Sequence, residues 1–197
     1  MDTIACISGT NRPNNYTSRA LRIVADELQK LGARPEFIDA RDLQLGFPGQ
    51  ETTPDAVRLQ EMIRSAQGVI LATPEYHGSF AAMTKLIIEN LGFPSAVQGK
   101  PLALLGVASG RLGAIKSLEQ LRSVCAHTGA IVMPGAVSVA GVHQAFDEDG
   151  RVTDPGTEKA LRDVAGSLVE FLKEYVHPKQ VLEAMVREDG RPWSASV

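Results

Sequence analysis

Short apolar runs bounded by turn residues alternate along this chain with longer stretches of helical period, and that rhythm leaves few folds open. Thr3–Ser8, Arg34–Asp39, Gly68–Ala72, Pro101–Val107 and Ala130–Val132 read as strands, the last with a broken continuation at Ala136–Val139. Helices are expected at Ser18–Leu31, Asp55–Ala66, Phe80–Leu91, Leu112–His127 and Thr157–Val176. The first places Leu21, Val24, Leu28 and Leu31 on one face and closes at Gly32. Gly68-Val69-Ile70-Leu71-Ala72 is nearly all apolar, as a strand covered on both faces must be.

Strict alternation of five strands and five helices, joined by right-handed crossovers, predicts a three-layer α/β/α sandwich of flavodoxin type. The expected sheet is parallel and five-stranded, in the order 2-1-3-4-5. The chain's 197 residues suffice for one large core. We read residues 1–176 as that domain and 177–197 as a tail outside the alternation, with a short helix at Val181–Val186 and Trp193 as an anchor on a partner subunit or else a loose end. A net charge of -3 without a basic block argues against nucleic acid. No apolar run approaches the roughly 20 residues of a membrane span. A strand beginning almost at residue 1 leaves no room for a signal peptide, and Cys6 and Cys125 read as buried thiols, so the expected location is cytoplasmic. The four histidines lack metal-ligand spacing, and no zinc site is expected.

In open α/β sheets ligands lie at the carboxyl ends of the strands, beside the point where strand order reverses. That rule selects the loops Ser8–Ser18, Thr73–Ser79 and Ala108–Gly113. The first is rich in hydroxyls and amides and carries Arg12. Backbone N–H groups and the positive end of the following helix suit it to a phosphate, with Thr10, Thr17 and Ser18 as donors and Arg12 as a two-pronged ligand. The same residues also serve as an ordinary turn, with Thr17 or Ser18 as helix cap. Neither G-x-G-x-x-G nor G-x-x-x-x-G-K-[ST] is present after the first strand, which disfavours a Rossmann dinucleotide or a P-loop nucleotide.

In the second loop Pro74 stiffens the exit from the central strand, Gly78 permits close backbone approach and Ser79 can cap the next helix. Glu75, Tyr76 and His77 suggest acid–base chemistry, or else one packed and two solvated side chains. In the third, Gly110 and Gly113 leave bare backbone for a flat ring, or make a tight turn capped by Ser109, and Arg111 is either solvated or a guide for an anion.

Three motifs together resemble the NAD(P)H-dependent FMN reductase family of quinone, chromate and azo-dye reductases. They are Gly9-Thr10-Asn11-Arg12-Pro13, then Thr73-Pro74-Glu75-Tyr76-His77-Gly78-Ser79 with Lys85, then Ser109-Gly110-Arg111-Leu112-Gly113. The likeness covers residues 3–175, including the Phe146–Arg151 turn. It implies that Thr10, Arg12 and the stretch Asn15, Tyr16, Thr17 hold the FMN phosphate. Pro74, Glu75, Tyr76, His77, Gly78 and Ser79 would lie along the ring, and Ser109, Gly110 and Gly113 would support its other side. The chain departs from the family at Asn15 (commonly Ser or Thr), His77 (commonly Asn), Ala81-Ala82 (commonly Pro-Gly) and in one fewer glycine in the third loop.

The resemblance further implies hydride transfer from NAD(P)H to FMN and on to a quinone, free flavin or similar acceptor, with ping-pong kinetics and no obligatory side-chain acid. It also implies a homodimer or homotetramer. Two other readings stay open on the residues alone: a flavodoxin-type FMN electron carrier, and a flavin-free interaction module.

Overall fold

The computed structural model describes residues 1–188. Three strands carry the centre: β1 (Thr3–Ser8), β3 (Gly68–Tyr76) and β5 (Pro101–Val107). Every residue of β1 and β5 is buried, because helices cover both faces of the sheet. β2 (Arg34–Asp39) pairs with β1 in parallel from Thr3↔Arg34 to Ser8↔Asp39. The lanes run β2-β1-β3-β5 and then a fifth lane, the expected order.

Among the described residues the sheet has seven strands rather than five. The fifth lane is split into β6 (Ile131–Val132), beside Pro101 and Leu102, and β7 (Val137–Val139), beside Leu105–Val107. Pro134, which has no N–H to donate, and Gly135 at φ 74° interrupt it. The second correction lies at the centre. The third strand does not stop at Ala72 but runs on to Tyr76 and folds back as β4 (Ser79–Phe80), pairing antiparallel as Glu75↔Phe80 and Tyr76↔Ser79.

Helix starts follow their caps. α1 (Tyr16–Lys30) is capped by Asn15, whose Oδ1 accepts the Ser18 N–H at 2.7 Å. α2 (Pro54–Ser65) begins with proline after Thr53, whose Oγ1 accepts the Ala56 N–H at 3.1 Å. α3 spans Ala82–Glu89 and α4 Ile115–His127. A four-residue helix absent from the sequence reading, α5 (Val142–Ala145), follows β7. α6 (Pro155–Phe171) starts at Asp154, whose Oδ2 accepts the Thr157 N–H at 2.7 Å.

α1 and α6 bury Leu21, Val24, Leu28, Leu161 and Leu168 against one face of the sheet. α2, α3 and α4 bury Leu59, Ile63, Ile87 and Leu121 against the other. The result is the three-layer α/β/α sandwich.

The last helix does not end at Val176. A π turn at Leu172–Val176 leads without interruption into α7 (His177–Glu188). His177 Nε2 lies 2.9 Å from Asp2 Oδ1, tying the start of α7 to the amino end of the chain. Gly190 to Trp193 lie outside the described residues, and so does the expected anchor. No helix among the described residues is long and apolar enough to cross a membrane.

Candidate functional site

The three loops singled out in the sequence converge on one cleft of about 770 Å³ at the carboxyl ends of β1, β3 and β5. That is the size of a small-molecule site. Arg12, Asn15, Tyr16 and Thr17 line it from the first loop, Pro74, Glu75, Tyr76, His77 and Gly78 from the second, and Ser109, Gly110 and Gly113 from the third.

Two expected residues stand elsewhere. Thr10 is buried beneath the first loop, where its hydroxyl accepts the Arg12 N–H at 3.3 Å. Ser79 Oγ turns to Gln120 Oε1 of α4 at 2.7 Å, and the Gln120 amide donates to the Gly78 carbonyl at 3.1 Å. Ser79 therefore pins the β3–β4 hairpin to α4 instead of capping α3.

The first loop is built by its own polar residues. Asn15 caps α1, not Thr17 or Ser18, and its amide also donates to the Arg12 carbonyl at 2.8 Å. Asn15 thus takes the Ser18 N–H, while Tyr16 and Thr17, which line the cleft, carry first-turn N–H groups that have no intrahelical partner. Arg12 is exposed at its edge and makes no ion pair among the described residues.

A buried relay that the sequence did not reveal joins the first loop to the second. Thr84 of α3 donates to the Gly9 carbonyl at 2.7 Å, Thr73 lies 2.9 Å from the Thr84 hydroxyl, and the Ala81 N–H donates to Thr73 Oγ1 at 3.1 Å. The Thr84 hydroxyl has both the Gly9 carbonyl and Thr73 Oγ1 within reach as acceptors, and the Thr73 hydroxyl in turn donates to the Pro74 carbonyl at 3.1 Å. Gly9 is required here, since a Cβ would run into Thr84 Oγ1 and stand 2.8 Å from the Ala72 carbonyl oxygen. A threonine on an ordinary helix face carries no sequence signal of such a task.

The hairpin that forms the second wall turns at His77 (φ 51°) and Gly78 (φ 74°). Two successive positive φ values make a type I′ turn, whose twist matches the strands it joins. Asparagine favours the first of these positions, and histidine is among the few other side chains that enter it. The departure at residue 77 thus preserves the backbone. Glu75 is not a free acid: its Oε2 accepts the Ser117 N–H at 3.1 Å, at the positive end of α4.

The third loop rests on the segment after β7. Gly141 N–H donates to the Gly110 carbonyl at 3.1 Å and Val142 N–H to the Ala108 carbonyl at 3.2 Å. Ser138 Oγ accepts the Ala114 N–H at 2.8 Å, and a Cβ on Gly113 would collide with that oxygen. Ser109 is therefore not a helix cap, and α4 begins after Ala114. A Cβ on Gly110 would meet nothing within 4 Å, so this backbone faces open cleft. Val142 and His143 also line the cleft, and both were missed because nothing in the spacing announces α5.

The lining offers two guanidinium groups, Arg12 and Arg111, against one carboxylate, which is already engaged. A cationic rim, a helix amino end and a bare-backbone wall suit an anionic ligand with a flat head. The sequence profile of the NADPH-dependent FMN reductase family matches residues 3–144. The chain belongs to that family.

It is 32% identical to an NAD(P)H-dependent FMN reductase of Pseudomonas aeruginosa, over 79% of this chain and 87% of that protein. It is 28% identical to an NADPH azoreductase of a Bacillus species, over 91% of this chain and 97% of that protein. The structure of FerB, a flavoenzyme NAD(P)H:(acceptor) oxidoreductase from Paracoccus denitrificans, superposes with a TM-score of 0.76. It is 24% identical and covers 89% of this chain and 99% of that one, a likeness of fold. An FMN reductase is an oxidoreductase that works with FMN and NAD(P)H, and the cleft has the size and donor set for a flavin mononucleotide.

Proposed function

We propose that the chain is a cytoplasmic FMN reductase that takes hydride from NAD(P)H and passes reducing equivalents to a quinone, free flavin or similar acceptor by a ping-pong sequence. FMN held in this cleft would supply the redox chemistry between the nicotinamide and the acceptor. The protein's part is binding and tuning. Arg12, Thr17 and the first-turn N–H groups of α1 would hold the phosphate. The Pro74–Gly78 wall and the Ser109–Gly113 wall would confine the ring. The bare Gly110 backbone would let a flat surface approach. No side chain is assigned as an obligatory acid, since Glu75 is committed to α4.

The observation that carries this reading is the convergence of all three loops on one cleft whose open wall is Gly110. Family membership favours the enzyme over the electron carrier and the flavin-free module. The test is the visible spectrum of FMN-loaded protein before and after anaerobic NAD(P)H, followed by steady-state kinetics. Rapid bleaching and parallel double-reciprocal lines are expected. Failure to bind FMN, or bleaching no faster than with free FMN, would sink the reading.

We place a second copy of the chain over the mouth of this cleft, in a homodimer or homotetramer. Tyr76 and Leu112 line the cleft and are 40% and 81% exposed. The carboxyl-terminal tail is a separate candidate for subunit contact, since Val181, Leu182 and Met185 of α7 are also exposed, and α7 starts beside Asp2, at the other end of β1 from the cleft. A monomeric mass by light scattering would refute it.

A further inference from the structure

The walls of the cleft are hydrogen-bonded to neighbours on three sides, and the least obvious of these ties crosses the cleft itself. His143 stands on α5, whose approach from Ser138 to Val142 is the backbone platform of the third loop. From that platform its two ring nitrogens reach two different walls. Nε2 lies 3.3 Å from Ser109 Oγ of the third loop, and Nδ1 lies 3.3 Å from the Tyr16 hydroxyl at the amino end of α1. The imidazole also meets the Tyr16 ring edge to face, centroid to centroid 5.2 Å. Tyr16 is held from further sides by Phe146 at 5.6 Å and by the Arg19 guanidinium at 5.1 Å. Both hydroxyls can donate or accept, so either tautomer of the ring completes the bridge.

We propose that His143 is a positioning residue for FMN. It fixes the third loop against the amino end of α1, and so sets the separation between the wall that faces the ring and the helix end that receives the phosphate. The proposal rests on reading the cleft as the FMN site. The clasp does its work before the cofactor arrives. Without it, Tyr16 and Ser109 must be ordered at the expense of binding free energy, which appears as weaker affinity and not as a lost contact.

The test is FMN affinity by fluorescence quenching on apo protein, alongside its melting temperature. His143 is exposed, so its truncation opens no core cavity. His143→Ala should weaken FMN about tenfold with apo melting unchanged, and His143→Gln, which keeps a polar arm, should recover most of that loss. Tyr16→Phe should cost affinity in the natural background and nothing further beside His143→Ala, since the hydroxyl's partner is then already gone. Unchanged affinity in His143→Ala overturns the clasp, and so does an equal Tyr16→Phe loss in both backgrounds. Natural protein that binds no FMN would overturn the reading of the cleft, and the clasp with it.

Discussion

The Thr84 side chain is wholly buried, and its hydroxyl is the side-chain donor 2.7 Å from the Gly9 carbonyl. Thr84→Val keeps the shape and removes that donor, stranding a buried carbonyl at a cost of about 1–3 kcal/mol. Denaturant unfolding should show that loss, and FMN titration should show a looser first loop. Arg12 belongs to a different class, since it is exposed and has no ionic partner among the described residues. Arg12→Ala should leave stability nearly untouched and weaken FMN by roughly ten- to a hundredfold, the worth of a charge-assisted hydrogen bond of about 1.5–3 kcal/mol. Unaltered affinity in the titration would remove Arg12 from the phosphate ligands. The contrast also shows what a sequence can disclose. Arg12 and Gly110 stand out because their chemistry is odd for a turn. Thr84, Ser138 and His143 do not, because each gets its task from a partner at least 24 residues away.

Between elements, the most extended polar contact is the one Arg162 makes from α6 to α1. Its guanidinium lies 2.8 Å from Asp26 Oδ2 and 2.9 Å from Glu27 Oε2, and 2.7 Å from Glu158 Oε1 on its own helix. Hydrogen bonds from Arg162, then Lys30, hold the Asp26 carboxyl below the usual aspartate range. A carboxyl with a depressed folded-state pKa stabilises above its unfolded value, and the contribution disappears as pH falls through the folded one. Arg162→Met should therefore lower stability by about 1 kcal/mol at neutral pH, a figure kept small because the carboxylates are partly solvated. The gap to natural protein should close as pH falls below about 4. A gap that stays constant to low pH would mean that packing, not charge, joins the helices. Elements with a long period of their own, such as β2, β5 and α1, were legible in the sequence. β4 and α5 were not, because two- and four-residue elements have no period and exist only through what they pair with. The short helix expected at Val181–Val186 is part of α7, but its unbroken link to α6 across Pro178 was not legible. There the His177 N–H reaches back five residues to Leu172, and that widened turn carries the helix past the proline.

Across the whole molecule the two apolar layers each enclose one thiol, Cys6 of β1 under α1 and α6 and Cys125 on the buried face of α4. Burial pushes both thiols up to about 12, so neither offers a thiolate to solvent while the sandwich is intact. A thiol reagent should find no reactive group in native protein, and should find both together at the denaturant concentration where the fold is lost. One thiol reacting well before the other would mean that the two layers come apart separately. At the same scale the β3–β4 hairpin decides how the cleft meets the outside. Its bend already has the backbone that a two-residue reversal demands, and its far strand is moored to Gln120. Such a tongue has no slack with which to swing. Under the proposed function, entry would be governed by the outline of a fixed aperture, and large and small acceptors would sort by fit at the threshold.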